Sequence, residues 1–251
     1  MPCIHFIGGE KGGVGKSVTA RTLAQYHIDQ QLPFRVFDSD ASHGAMLRFY
    51  SDFTQALDID SFESADQIIE TVAELGCHAI VDLAAQTSRF LRTWIKDNDL
   101  PTLAEELGIK LMYWHVMDDG HDSLVLLDTL LDDYSGTLNY VLVRNHGRGK
   151  DFTAFEKSEA RARFAAKGAH LIDLGALHAP TMRKIDHFGS SFWAAANNKD
   201  ESLGPTLGIM ERQRVRVWLR NAYEEISALP CETEGAGPVG GADEDTQLRH
   251  D

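Results

Sequence analysis

A short apolar run, Ile4-His5-Phe6-Ile7, runs straight into Gly8-Gly9-Glu10-Lys11-Gly12-Gly13-Val14-Gly15-Lys16-Ser17, and a helical segment from about Ser17 to Gln30 follows. No other stretch of the 251 residues constrains the fold so tightly. Glycines at these positions let backbone N–H groups turn inward and approach an anion, and the next helix presents its positive N-terminal end to the same place. In a strand, Gly-x-Gly-Lys-Ser, helix context, Lys16 is placed to reach terminal phosphates and the Ser17 hydroxyl to bind Mg²⁺. The expected nucleotide contacts are Gly12, Gly13, Val14, Gly15, Lys16, Ser17 and Val18. The strict pattern also needs a glycine five residues before Gly15, where this chain carries Glu10.

Beyond the loop, short apolar runs alternate with helix-length segments. Strand candidates are Phe34-Arg35-Val36-Phe37, Ala79-Ile80-Val81, Lys110 to Val116, Tyr140 to Val143 and His170-Leu171-Ile172. Helices are expected near Ala65 to Leu75, Ser123 to Leu131 and Gly208 to Leu229. Such spacing requires crossover connections, so the expected fold is α/β: one doubly wound, mostly parallel sheet with helices on both faces. It accounts for residues 1–229. Residues 230–251 carry four glycines and two prolines without apolar periodicity, and are expected to be a disordered acidic tail.

The chain has 38 Asp+Glu against 24 Lys+Arg, a formal net charge of −14. That balance excludes a surface coated in cations for wrapping nucleic acid, though not a local basic patch. The tail, with six acids against Arg249 alone, holds about a third of the excess. Cys3, Cys77 and Cys231 form no CxxC pair, so neither a disulfide framework nor a thiolate metal cluster is expected. The first residues lack the basic start and apolar run of a signal peptide, and no apolar stretch is long enough to span a bilayer. A soluble, cytoplasmic protein is expected.

Lys11 sharpens the reading of the loop. Lys-Gly-Gly-Val-Gly-Lys-Ser resembles the deviant Walker A loop of the ParA/MinD family of P-loop ATPases. The resemblance implies two ATP molecules sandwiched between two subunits, with Lys11 reaching the partner's nucleotide. Asp38 and Asp40, two residues apart at the end of a strand, project to one side at the sheet's carboxyl edge, where ligands bind. They match the family's Asp-x-Asp segment. By that resemblance Asp40 orients the attacking water and Asp38 supports Mg²⁺ through its water shell. Ala79-Ile80-Val81-Asp82 has the form of a Walker B strand, with Asp82 holding Mg²⁺ through water and hydrogen-bonding Ser17. Tyr140 to Asn145 resembles the late family strand whose terminal Asn, here Asn145, meets adenine. An Asn amide supplies both the donor and the acceptor that the base edge needs, although turn formation is an equally plain role for it.

His115, His121, Asp118 and Asp119 lack metal-ligand spacing and are expected to cap loops and helices. The late helix carries Arg212, Arg214, Arg216 and Arg220, with Val215, Trp218, Leu219, Ala222 and Ile226 recurring at helical spacing on a packed face. Its arginines are candidates for weak, non-specific DNA contacts, or simply a solvated helix face. A membrane helix is disfavoured by the acidic tail that follows.

The resemblance implies an Mg-ATP-dependent dimerisation switch with slow ATP hydrolysis. It would work with an unidentified activating or cargo protein in partitioning or positioning DNA or another cargo. Alternatives are a conjugation or mobilisation accessory ATPase of the same family, a P-loop metabolic ligase or transferase, and an iron–sulfur ATPase reductase. The last is disfavoured because Cys3 and Cys77 flank strands.

Overall fold

The computed structural model describes residues 1–40, 44–133 and 138–233. Its strands are β1 (Cys3–Gly8), β2 (Phe34–Asp38), β3 (Thr54–Ala56), β4 (His78–Asp82), β5 (Lys110–Met117), β6 (Asn139–Asn145) and β7 (His170–Leu174). They form a single sheet in the order β3-β2-β4-β1-β5-β6-β7. Every pairing is parallel. The strand order reverses at β1, so the glycine-rich loop leaves the sheet at its topological switch point, where a crevice opens beyond the carboxyl ends.

The first half of the chain supplies α1 (Lys16–Asp29), α2 (Ala45–Phe49), α3 (Phe62–Leu75), α4 (Ser88–Asp97), α5 (Leu100–Glu106) and α6 (His121–Asp133). The second supplies α7 (Thr153–Glu156), α8 (Glu159–Ala166), α9 (Ala179–Phe188), α10 (Phe192–Asn197), α11 (Ile209–Ser227) and α12 (Pro230–Thr233). Side chains alternate between the two faces of each strand, which divides the core in two. Ile7, Val36, Ile80 and Trp114 pack with Leu23 of α1, Ile185 of α9, Phe192 of α10 and Val215 of α11. Phe6, Phe37, Val81 and Tyr113 pack with Ile68 of α3, Trp94 of α4, Leu127 of α6 and Phe164 of α8. The doubly wound expectation is met.

All six expected strands are present. The seventh, β3, reads Thr-Gln-Ala and is a three-residue edge strand with no apolar signal. The helix expected from Ala65 begins earlier, at Phe62, because the Ser61 hydroxyl accepts the Ser64 N–H at 3.2 Å and caps it. The five apolar residues picked out on the late helix are its buried ones. The expected tail boundary at residue 230 needs correction. Leu229 N–H bonds the Ile226 carbonyl, Glu232 N–H bonds the Leu229 carbonyl, and α12 turns back under the sheet with Cys231 and Glu232 buried. Cys231 packs against Cys3 and Met112. Polar composition hid this docking, because α12 is held by two side chains and shows no periodic face. The rest of the expected tail, residues 234–251, lies outside the described residues. Among the described residues no helix is long and apolar enough to cross a membrane.

Trp218 anchors α11. Its ring meets Phe192 edge-on with centroids 5.0 Å apart, and its indole N–H donates to the Gly175 carbonyl at 2.6 Å. Trp218→Ala opens a cavity and leaves that carbonyl without its donor. It should lower unfolding stability by about 3–5 kcal/mol. Urea denaturation measures this, and a loss below about 1 kcal/mol would show that α11 contributes little to the core.

Candidate functional site

The loop between β1 and α1 depends on glycine at two points in particular. Gly13 and Gly15 have φ of +79° and +101°, and Gly15 precedes α1 in the left-handed region. A side chain there would be strained. The first turn of α1 contains no acid, so its positive end is uncompensated from within the helix. Lys16 curls back over the loop. Its Nζ donates to the Gly9 carbonyl at 2.8 Å and the Lys11 carbonyl at 3.2 Å. Burial lowers its pKa, while Asp82, Glu10 and Asp40 pull the other way. A buried ammonium bonded only to neutral carbonyls is a strong attractor for an anion.

Opposite it, Asp38 and Asp82 are register partners at the ends of β2 and β4. Asp82 is 3% exposed. Burial pushes its carboxyl up to about 7, against the Ser17 hydroxyl that hydrogen-bonds it, and Asp38 adds to the rise. Its Oδ1 is buried without a hydrogen-bond partner. A hydroxyl beside a carboxylate with one unused, buried oxygen suits a hard divalent cation with oxygen ligands and retained waters. Ser17 and Asp82 therefore fit Mg²⁺.

Asp38 does something other than expected. Its Oδ1 accepts the Asp40 N–H at 3.1 Å, and its Oδ2 accepts the Met46 and Leu47 N–H groups at 2.8 and 3.3 Å. One oxygen thus holds the Asp40 amide and the other the start of α2, so Asp38 shapes the segment that presents Asp40. Asp40 itself is part-exposed on the Lys16 and Asp82 side, where its charge acts on both. Ala41 to His43, which follow, lie outside the described residues.

Glu10, the departure from the strict loop pattern, turns away from the loop. Its Oε1 accepts the Ser88 N–H at 3.0 Å at the first turn of α4, where an acid is favoured. Asn145 also departs from expectation. Its Nδ2 donates to the Val14 carbonyl at 2.7 Å and its Oδ1 accepts the Gly147 N–H at 2.9 Å. The donor ties the end of β6 to the loop and the acceptor holds the turn at Gly147, so the expected adenine contact would have to exchange these bonds. Beside it, Val18, Asn145, Arg148 and Leu177 border a cavity of about 290 Å³.

Lys11 lies on the outer side of the loop, 30% exposed, in an ion pair with Asp118 at 2.8 Å. That hydrogen bond raises the Lys11 pKa. Asp118 also accepts from Ser123 Oγ at 2.6 Å and the Gly120 N–H at 3.1 Å, and so fixes the start of α6. Asp119 accepts the Lys150 and Asp151 N–H groups. The capping role expected of these acids is present, but the Asp118–Lys11 pair was not visible because the two lie 107 residues apart. His115 lies inside β5, and burial lowers its pKa to about 4. Sequence reasoning also missed Ser39. Its N–H and Oγ both donate to the Asp82 carbonyl, and its Oγ accepts the Ala84 N–H at 2.8 Å, stapling β2 to β4 beside the site. Nothing in its local sequence distinguishes it from a loop serine.

On α11, Arg212 donates to the Leu207 carbonyl and Arg216 to the Ala196 carbonyl at 2.7 Å. Arg214, Arg216 and Arg220 are exposed. The four do not form one free cationic face.

No family model matches the chain. It is 26% identical over 246 residues to Protein TraL of Escherichia coli, across 91% of this chain and 98% of that protein. Protein MobD of Acidithiobacillus ferrooxidans is 25% identical over 174 residues, across 67% of this chain and 75% of its own. The MinD cell division protein of Aquifex aeolicus superposes with a TM-score of 0.54 at 13% identity, covering 92% of this chain and 99% of that one. The chain has a ParA/MinD-like P-loop fold. In that fold the loop at Gly8–Ser17 and the acids ending β2 and β4 share one crevice at the carboxyl edge of the sheet.

The raised Asp82 pKa has a testable consequence. Between its ordinary value near 4 and about 7, the folded chain holds a proton that the unfolded chain has released, so this group's contribution to stability declines as pH rises through that window. Without ligands, the melting temperature should fall between pH 5 and pH 8, and Asp82→Asn should flatten the decline. Differential scanning fluorimetry of both proteins across that range reads it; equal slopes would mean that Asp82 titrates normally.

Proposed function

We propose that the chain is an Mg-ATP-dependent dimerisation switch that hydrolyses ATP slowly. The observation that carries this reading is one crevice holding a buried Lys16 ammonium without an anionic partner and a Ser17–Asp82 pair with a spare buried oxygen, with Lys11 just outside on the loop's surface. In this reading the loop's N–H groups and the α1 N-terminus hold the phosphates. Lys16 exchanges its two carbonyl partners for the terminal phosphate oxygens. Mg²⁺ at Ser17 and Asp82 supplies charge neutralisation. Asp40 positions the attacking water, and Asp38 holds Asp40 in place through its N–H while anchoring the start of α2. Phosphoryl transfer requires little more of a protein than such positioning and charge.

Lys11 leaves Asp118 when a second subunit closes over the site, and its charge then acts on the partner's nucleotide. Closure on ATP and separation after hydrolysis would let the chain engage and release an activating or cargo protein. Of the duties considered, conjugative transfer or mobilisation is favoured over chromosome or plasmid partition by the likeness to TraL and MobD across most of their length. Arg214, Arg216 and Arg220 are the exposed α11 arginines, with Arg216 also bonded to the Ala196 carbonyl, and any phosphate contacts they make would be weak and salt-sensitive in a chain of net charge −14.

Size-exclusion chromatography with Mg-ATP tests the switch. Asp40→Ala should bind ATP, lose most turnover and persist as a dimer. Lys11→Ala should bind ATP and stay monomeric, and Lys16→Ala should lose nucleotide affinity. A wild-type chain and Asp40→Ala variant that both bind ATP yet remain monomeric at micromolar concentration would falsify the switch.

A further inference from the structure

At the end of the sheet opposite the loop, four side chains that nucleotide chemistry does not use meet inside the core. His5 comes from β1, His27 from the last turn of α1, His78 from the start of β4 and Glu232 from α12. One ligand atom from each lies within 4.8 Å of every other. His5 and His27 are fully buried, while Glu232 and His78 are 5% and 6% exposed. The Glu232 carboxylate lies 3.6 Å from His5 Nε2 and 3.4 Å from His27 Nε2, and the His27 and His78 rings are 4.9 Å apart between centroids.

Buried polar atoms are normally hydrogen-bonded, and each one left unpaired is costly. Here His5 Nε2, both nitrogens of His27, His78 Nδ1 and both oxygens of Glu232 are buried with no partner in hydrogen-bonding geometry. These unpaired atoms include ligand atoms from all four side chains, one from each close to the others, and such a group needs an occupant. An anion is repelled by Glu232. Cys3, Tyr26, Phe34 and Trp114 pack around the cluster. Cationic groups near it are the N-terminal amine, whose charge acts on His78, and Arg35 in the neighbouring groove; among the described residues neither forms an ion pair with Glu232. Three imidazoles and a carboxylate form a four-coordinate donor set for a borderline first-row cation, with N and O ligands and no thiolate required.

We propose that His5, His27, His78 and Glu232 bind a divalent transition-metal ion, with Zn²⁺ the best match, that fastens α12 to β1, α1 and β4.

The protonation states agree with the geometry. Burial lowers the pKa of His5 to about 3 and of His78 to about 4, so both rings are neutral, the form that ligates. Burial alone would raise the Glu232 pKa, but the histidines outweigh it and hold the carboxyl below its ordinary value, ionised. Tetrahedral Zn–N bonds of about 2.05 Å place neighbouring donors about 3.3 Å apart, so the set contracts on binding. The Trp114 indole N–H donates to His5 Nδ1 at 3.2 Å. Ligation through Nε2 costs His5 that bond or its ring proton, which makes uptake pH-dependent. A surface groove of about 500 Å³, lined by His27, Phe34, Arg35 and Cys77, lies beside the cluster.

The site lies far from the Ser17–Asp82 corner and has none of its oxygen-rich character, so it is independent of the nucleotide reading. β1 and α1 are nonetheless the two elements that hold the phosphate loop between them. A metal at their far ends would set the strand–helix spacing that the loop inherits.

The test uses the full chain without a histidine tag, stripped with chelator, dialysed and reloaded with Zn²⁺ or Co²⁺. Elemental analysis after gel filtration should find about one Zn per chain. Co²⁺ should give the intense visible bands of four-coordinate N/O ligation, which Mg²⁺-type six-oxygen sites lack. Zn²⁺ should raise the melting temperature of the stripped chain, because the metal binds the folded state. Glu232→Gln preserves shape, and with His27→Gln it should weaken Zn²⁺ by at least about the 10–100-fold known for outer-shell changes. ATP affinity in Glu232→Gln should be unchanged, which separates this outcome from failure of the nucleotide site. A cooperatively folded wild-type chain that retains only trace Zn²⁺ and Co²⁺ overturns the proposal, and the cluster is then a shared-proton network. Equal metal retention by wild type and Glu232→Gln overturns it too, by locating the metal elsewhere.

Discussion

The structure turns on two opposite charges placed in one desolvated crevice without being allowed to neutralise each other directly. Lys16 Nζ is bonded to backbone carbonyls, and Asp82 is bonded to Ser17 with its other oxygen unused. Burial lowers the lysine pKa and raises the aspartate pKa, so each is held in a state that favours losing its charge. A fold selected for stability alone would bring such groups together or replace them with apolar residues. Keeping them apart leaves room between for the polyanion and cation of the proposed reading, whose binding would restore both charges. The parallel sheet makes this arrangement possible, because the carboxyl ends of β1, β2 and β4 are adjacent whereas their residues are up to 75 positions apart in sequence.

The surroundings are built to keep that crevice in shape. Ser39 staples β2 to β4, Asp38 collects the Asp40 amide and two amides at the start of α2, Glu10 caps α4, and Asn145 braces the loop from β6. Four polar side chains thus connect the loop and its acids to four different elements. Glu10 is instructive. At the position where the strict pattern has glycine, its carboxylate would oppose phosphate if it faced inward, yet it contacts the Ser88 amide instead. The substitution is tolerated because a helix N-terminus takes up its charge.

The parts of this protein legible in the sequence are those governed by local rules. The loop was readable because strand, glycines, Lys16, Ser17 and helix are contiguous. Six strands were readable because parallel strands buried on both faces are short apolar runs. The buried face of α11 followed from a period of 3.6 residues. What was not legible depends on pairings across the fold. β3 is a polar edge strand. Lys11 finds Asp118 across 107 positions, and Asn145 spends its amide on Val14 where the residue type suggested a base. The helix α12 was hidden by composition, since a proline, a cysteine, an acid and a threonine look like the start of an acidic tail until Glu232 is seen beneath the sheet.

That last discrepancy bears on how the two ends of the domain are related. Chain segments following a final long helix are usually free of the core, because short polar sequences cannot offset their ordering entropy through apolar burial. Here Cys231 contributes a small apolar contact, whereas Glu232 brings a charge inside that loses its hydration. Three histidines from three different elements converge on that charge, and none of them is explained by the phosphate chemistry at the other end of the sheet. The docking of α12 and the histidine cluster therefore account for each other. The carboxylate has a reason to be buried only if the imidazoles, with a cation or a proton between them, receive it. The imidazoles in turn have a reason to be in an otherwise apolar layer only if something anionic completes them. Because β1 and α1 run from this cluster to the glycine loop, order at the C-terminal segment is mechanically continuous with the elements that carry Lys16 and Ser17.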